Sequence, residues 1–503
     1  MAFIVGMVLM AIELTATRIL APIVGLSIYT WTSAIGIILL GLTLGSYLGG
    51  WLIDKFKKEK VATSFLISAA IFIALIPLIS KQISKVATFD FPLIFITLIL
   101  SLILFFLPAL FLGVIYPVLL KLFAEELETI GKKSGLLSAF WSLGSIVGTF
   151  LTGFYFIEFL GSARTLYLLS LILILTVFFT EKFFKKSSTI ILIVFLLILA
   201  DKLLLAENEK AGSVKKKFES ESGYYKIQVI DDSNLMLGNF RALLLDMDIH
   251  SVESKDGRKF GAYTEIYPVF KFFKNDLEKI YVIGGGSYSI AKGFSREYPS
   301  AEVIVSEIDP KVTKTAEDFF NLSKYPIKTI FGDARMNLAK DEEKYDLIFG
   351  DAYNSFISLP WHLTTVEFND LVKSHLKNNG IYAVNFISAL RMGDNSLFFQ
   401  SMLKTFRLSF PNVYIFTFGG VAFMPQNVVL VGINSDEKIN LSNLDNNFFQ
   451  KYRVADNFSV DAGLVLKDDF APLERIMSPL INNYFLSYLR IYNCITSDTS
   501  CAL

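Results

Sequence analysis

Scarcity narrows the reading of this 503-residue chain first. It has only two cysteines, Cys494 and Cys501, both near the end and outside any CxxC or Cys/His spacing that a zinc site requires. No metal centre is expected, and a disulfide between the two is left undecided. Charge is lean as well: charged residues make up 19% of the chain, with Lys plus Arg and Asp plus Glu equal at 47 each. No basic stripe with interleaved aromatics stands out, so nucleic acid is not an expected partner. Charges are sparsest from Met1 to about Ala206, whereas from Lys215 onward they interrupt the pattern every few positions. At 53% hydrophobic and 14% aromatic residues the chain is too apolar for one soluble globule of ordinary composition. The sequence therefore implies two domains in two solvents.

A bilayer core needs roughly 20 apolar residues per helical span. The candidates are Met1–Ile23, Ile28–Ile53, Val61–Ser80, Phe91–Leu122, Leu136–Leu160 and Leu166–Thr180. The first is read as a retained membrane helix rather than a signal peptide, because it carries Glu13 and Arg18 and is followed at once by another apolar run. The short run Thr189–Ala200 either lies in the interface or crosses as a seventh span. Lysines crowd the second and fourth connections and follow the sixth span, which puts the amino terminus and the even connections in the cytoplasm. Gly41, Gly45 and Gly49, and likewise Gly144 and Gly148, recur at a spacing that lets helix backbones approach closely in lipid. The stretch GWLIDKFKK from Gly50 resembles the loop between the second and third helices of major-facilitator transporters, although six spans are half of that fold.

Beyond the membrane part the expected organisation is a linker over 207–223, a small β region over 224–270 and an α/β Rossmann-like, doubly wound domain over 271–503. Lys279–Ile283 is a short apolar run ending in Gly284, Gly285 and Gly286, after which Ile290–Tyr298 reads as a helix. Glycine suits that turn because the backbone must approach a ligand and adopt positive φ. A second run, Glu302–Ser306, leads into Glu307, about 20 residues beyond the glycines, where an acid can accept hydrogen bonds from ribose hydroxyls. A third ends in Gly332, Asp333 and Ala334, and a fourth in Gly350 and Asp351. Successive strands thus deliver carboxylates to one edge of the sheet, where ligands of open α/β folds bind. Asp309 and Asp346 read instead as capping or solvated acids.

The stretches YVIGGGSYS, VSEIDP, FGDARMNL, YDLIFGDAYNS and LPWHLTTVEFNDLV, with LKDDFAPLERIM near the end, resemble in order and spacing the spermidine synthase (polyamine aminopropyltransferase) family, and the whole chain resembles its membrane-fused members. The resemblance implies a class I S-adenosylmethionine-dependent transferase fold and a donor that is S-adenosylmethionine or its decarboxylated form. It implies that Gly284–Gly286 cradle the methionine-derived part, that Glu307 holds the ribose, that Asp333 with Ala334 meets the adenine, and that Asp351 is the catalytic acid-base group.

The departures fall on the acceptor side. The family's GGGDGG reads GGGSYS, placing Ser287 where a carboxylate is expected, and its DSSD reads Asp351-Ala352-Tyr353-Asn354. Its YHE reads Tyr263-Thr264-Glu265 and its YQ reads Tyr224-Tyr225. A dication such as putrescine needs anionic partners when it leaves water, so the expected acceptor is a small amine, or an amphiphile beside the lipid bilayer, rather than plain putrescine. Three readings remain: an alkyl transferase moving an aminopropyl or methyl group, a non-catalytic nucleoside sensor, and a transporter whose soluble domain modifies or gates its cargo. A cytosolic donor favours an interfacial Thr189–Ala200 and a cytoplasmic soluble domain. Oligomeric state is open, a homodimer being one candidate.

Overall fold

The computed structural model describes residues 1–56, 58–86, 92–123, 129–180, 215–234, 238–255, 262–352, 359–391, 393–418, 422–437 and 458–496. Two units separate: Met1–Gly212 with Glu219–Lys226, and Ser213–Phe218 with Ile227–Leu503. The run Thr189–Ala200, expected either to lie in the interface or to cross as a seventh span, lies outside the described residues.

Among the described residues the first unit has six helices long and apolar enough to cross a membrane. They are α1 (Ala2–Val24), α2 (Ile28–Lys55), α3 (Lys58–Val86), α4 (Leu93–Phe123), α5 (Ile130–Leu151) and α6 (Ser162–Thr180). A π-helical stretch, Thr152–Leu160, continues α5. The spaced glycines are where backbones meet. A Cβ on Gly45 would sit 2.1 Å from the Leu110 carbonyl oxygen and one on Gly49 2.5 Å from that of Val114, so α2 lies directly on α4. A Cβ on Gly144 would come within 1.9 Å of the Phe3 carbonyl oxygen and one on Gly148 within 2.3 Å of that of Met7, which joins α5 to α1 in the same way. Small residues at such contacts let helix backbones pack closely against one another.

A four-stranded sheet has the order β1 (Lys215–Glu221), β2 (Lys226–Asn234), β3 (Gly238–Leu245), β4 (Asp248–Ser254). It begins earlier than the sequence implies, because β1 occupies part of the stretch read as linker. Phe218 is the only apolar side chain in KKKFESE, so this strand is set by pairing and carries no hydrophobic alternation.

The second sheet has seven strands: β5 (Lys279–Ile283), β6 (Glu302–Glu307), β7 (Ile327–Phe331), β8 (Tyr345–Gly350), β9 (Leu376–Ser388), β10 (Asn412–Thr417) and β11 (Gln426–Ile433). Their spatial order is β10-β11-β9-β8-β5-β6-β7. The pairs from β9 through β8, β5 and β6 to β7 are parallel, while β11 runs antiparallel to β9 and β10. All six residues of β8 are buried, as a central parallel strand covered on both faces must be. Helices α7 (Ser289–Glu297), α8 (Pro310–Phe319), α9 (Ala334–Lys340), α10 (Val366–Ser374) and α11 (Leu397–Ser409) connect the strands, and α12 (Leu473–Thr496) follows them. Strand order reverses between β5 and β8, the point where crevices form in such sheets.

Candidate active site

The glycine turn after β5 is constrained from several sides. Gly284 has φ of 94°, and a Cβ there would lie 2.6 Å from the Asp351 carbonyl oxygen. One on Gly285 would lie 2.7 Å from the Tyr288 ring and 3.0 Å from a Glu307 carboxylate oxygen. Tyr288 itself is left-handed at φ 61°, a conformation costly for a bulky residue. Its buried hydroxyl offsets part of that cost through Thr313 at 2.7 Å and Thr329 at 3.1 Å.

Glu307 ends β6, is 5% exposed and faces that turn. Its Oε2 accepts from the amides of Gly285 at 2.8 Å and Gly286 at 3.4 Å, and its Oε1 accepts from the amide of Asp309 at 2.9 Å. Burial pushes its carboxyl up, and the three amides oppose that. A carboxylate offers about four acceptor positions, so about one remains for a ligand. Asp309 and Asp346 do structural work: Asp309 caps α8 by accepting from Lys311 N at 2.9 Å. Asp346 is held by Lys274 at 2.5 Å, Lys377 at 2.9 Å and the amides of Glu278 and Lys279. Burial alone would raise the Asp346 carboxyl, yet these partners bring it down to about 2.

Asp333 caps α9, whose first residue is Ala334, by accepting from Met336 N at 2.9 Å. Its other oxygen meets His362 Nε2 at 2.8 Å. Arg335 bonds the His362 carbonyl oxygen at 3.0 Å and forks onto Asp468, tying the LKDDFAPL segment to this edge.

Asp351 follows β8 and lies behind Gly284, with its amide bonded to the Ile283 carbonyl at 2.8 Å. Its side chain accepts from Asn385 Nδ2 on β9 at 2.8 Å. Desolvation raises its carboxyl to about 6, against the pull of that amide. Burial, and then the Asp351 charge, push the neighbouring Tyr263 phenol well above its ordinary range, so it stays protonated.

Of the acceptor-side positions, Ser287 is fully buried, its hydroxyl 2.7 Å from Ser289 Oγ and 3.4 Å from Glu253 Oε1. Glu253 on β4 also takes Lys292 at 2.5 Å, a lysine only 4% exposed. Asp232 on β2 accepts from the amide of its own neighbour Ser233 at 2.7 Å. Glu265 closes a 3-10 turn, Ala262–Glu265. Tyr225 lies in the turn between β1 and β2, in the stretch that groups with the helical unit. Asn354 lies outside the described residues. Glu253, Lys292, His362 and Asn385 were not singled out from sequence; of these, Asn385 alone had a signal, as an amide inside the apolar strand IYAVNFIS.

A glycine turn, an acid ending the next strand and a mixed sheet reversing at β5 and β8 define a Rossmann-like, doubly wound α/β domain. Within that class the carboxy-terminal part is similar in sequence to polyamine aminopropyltransferases. A probable polyamine aminopropyl transferase of Bifidobacterium longum is 29% identical over 169 residues, covering 33% of this chain and 36% of that protein. A polyamine aminopropyltransferase of Vibrio vulnificus is 29% identical over 147 residues, covering 28% of this chain and 49% of that protein. The chain thus spans half or less of the length of these curated relatives. Among solved structures, a probable spermidine synthase from Corynebacterium glutamicum aligns with TM-score 0.39 and 20% identity, over 46% of this chain and 82% of that one. No family model matches the chain.

Proposed function

We propose that this protein is a membrane-anchored transferase that alkylates an amine, with decarboxylated S-adenosylmethionine or S-adenosylmethionine as donor. The observation that carries the reading is Asp351: a desolvated carboxyl, near 6, directly behind the glycine turn. An amine must be neutral to attack. A carboxylate with a raised pKa sits close to the working range of a base that takes the proton as the nitrogen bonds to carbon. In that step the nitrogen lone pair forms the new N–C bond, the C–S bond breaks with its electrons passing to sulfur, and the N–H proton goes to Asp351. The sulfonium leaves as a neutral thioether, so alignment of nitrogen and carbon supplies much of the remaining acceleration.

In this reading Gly284–Gly286 admit the methionine-derived tail, Glu307 braces the turn and offers its remaining acceptor position to the ribose, and Asp333 with Ala334 borders the adenine. The six apolar helices are the anchor, and the catalytic domain faces the cytoplasm, where the donor is made. The test is to incubate the full chain in detergent with each donor and a panel of amines and to identify the nucleoside released. Methylthioadenosine reports aminopropyl transfer and S-adenosylhomocysteine reports methyl transfer. A folded protein that binds neither donor sinks the proposal.

A further inference from the structure

We propose that Asn385 is the second contact for the nucleophile: its side-chain carbonyl and the outer oxygen of Asp351 together receive two N–H groups of a primary amine. This rests on the transferase reading above and names the acceptor group that reading leaves open.

Asn385 lies on β9, where the preceding Val384 pairs with Gly350 of β8, so Asn385 and Asp351 emerge side by side at the carboxyl edge of the sheet. Asn385 is 4% exposed. An ionised carboxylate only accepts, so the amide must turn its N–H₂ toward Asp351. That contact, 2.8 Å to Oδ1, fixes the amide orientation. Asn385 Oδ1 is then buried and, among the described residues, accepts nothing. Among the described residues no donor reaches Asp351 Oδ2 either, so one carboxylate oxygen and one amide oxygen are both available beside the turn.

A buried acceptor without a donor is costly, and native proteins rarely tolerate one without a use. The chemistry of the acceptor decides what can satisfy both oxygens. A neutral primary amine has two N–H groups, one for Asp351 and one for Asn385 Oδ1. A hydroxyl or thiol has a single hydrogen, so serving Asp351 leaves the Asn385 oxygen orphaned. The pair therefore selects a primary amine over an alcohol of the same shape. It also gives Asn385 a positioning role, since its N–H₂ sets which oxygen of Asp351 faces the nucleophile.

The test uses the full chain in detergent saturated with methylthioadenosine, titrated with primary alkylamines from butyl to octyl and with the matching alcohols. The best amine is expected to bind at least about tenfold tighter than its alcohol. Asn385→Leu should remove about that factor for the amine, leaving the alcohol and the nucleoside unchanged. Asn385→Asp, whose protonated acid can still donate to Asp351 and accept from the amine, should keep the preference. Should the leucine variant lose the nucleoside as well, Asn385→Ser, too short to hold the contact, is read in its place. Equal binding of amine and alcohol, no binding of either, or an undiminished amine affinity in the variant overturns the inference. Failure of methylthioadenosine to bind the folded wild type defeats the transferase reading instead.

Discussion

His362 Nε2 and Asp333 Oδ2 are 2.8 Å apart, so the acid assigned to adenine already has a partner on one oxygen and a helix amide on the other. Its capping and binding roles can be separated. Asp333→Ala should cost about 1 kcal/mol of stability through the lost cap and weaken methylthioadenosine at least about tenfold. Asp333→Ser, which still caps a helix, should keep the stability and show only the binding loss. Thermal denaturation alongside calorimetry decides, and a serine variant with wild-type affinity would remove Asp333 from the nucleoside site.

Glu307 presents both carboxylate oxygens to backbone amides of Gly285, Gly286 and Asp309. Glutamine, nearly the same shape, can turn its carbonyl to only one side, leaving its N–H₂ against a backbone N–H on the other. Glu307→Gln should therefore destabilise the domain by about 1–3 kcal/mol and weaken nucleoside binding at least about tenfold. Binding that survives in a destabilised variant would show that Glu307 braces the turn without touching the ligand.

Much of this edge is legible in the sequence because buried parallel strands are short continuous apolar runs, and each of β5, β6, β7 and β8 ends in or is followed at once by a glycine or an acid. Asp309 caps a helix, one of the two places expected for it, whereas Asp346 is not solvated but 1% exposed and held by Lys274 and Lys377, partners that only the fold brings to it. What escaped was tertiary. Glu253, Lys292 and Ser287 come from three segments and meet only when β4 lies over the turn. His362 comes to Asp333 from 29 residues away. Strand β1 escaped for the opposite reason, since a charged edge strand has little hydrophobic pattern to read.

Asp351 makes stability and turnover respond to pH in opposite directions. Its carboxyl rises from the ordinary 3.8 to about 6 because burial disfavours the charge. A raised acid contributes its full stability below pH 3.8 and loses it as pH climbs through about 6. At pH 8 the buried charge should cost roughly 2–3 kcal/mol, at about 1.4 kcal/mol per unit. Asp351→Asn should therefore raise the melting temperature at pH 8 and do much less at pH 4. The wild-type rate should instead increase as pH rises through 6. A pH-independent difference in melting temperature between wild type and Asp351→Asn would show that the carboxyl is not desolvated in the folded protein.

Putrescine should be a poor acceptor even though Asp351 is present. An ammonium moved from water into a site without a paired anion costs several kcal/mol, and each 1.4 kcal/mol is a factor of about ten. Of the two acids that the resemblance expects on the acceptor side, one is Ser287, fully buried, and the other is Asn354. The Ser287 hydroxyl reaches the Glu253 carboxylate, and Lys292 at 2.5 Å already pairs with that charge, so it offers a second ammonium little. Diamine turnover should consequently fall several orders of magnitude short of what an intact acidic site allows. Product formation from the decarboxylated donor and putrescine is to be measured in wild type, in Asp351→Asn, and in Ser287→Asp combined with Asn354→Asp. Activity that emerges only in the combined variant supports an altered acceptor. A new aspartate beside Glu253 would place two carboxylates around one lysine, which leaves a net negative charge for the substrate to neutralise. Robust wild-type turnover that vanishes in Asp351→Asn would instead make the chain an ordinary diamine aminopropyltransferase carried on membrane helices.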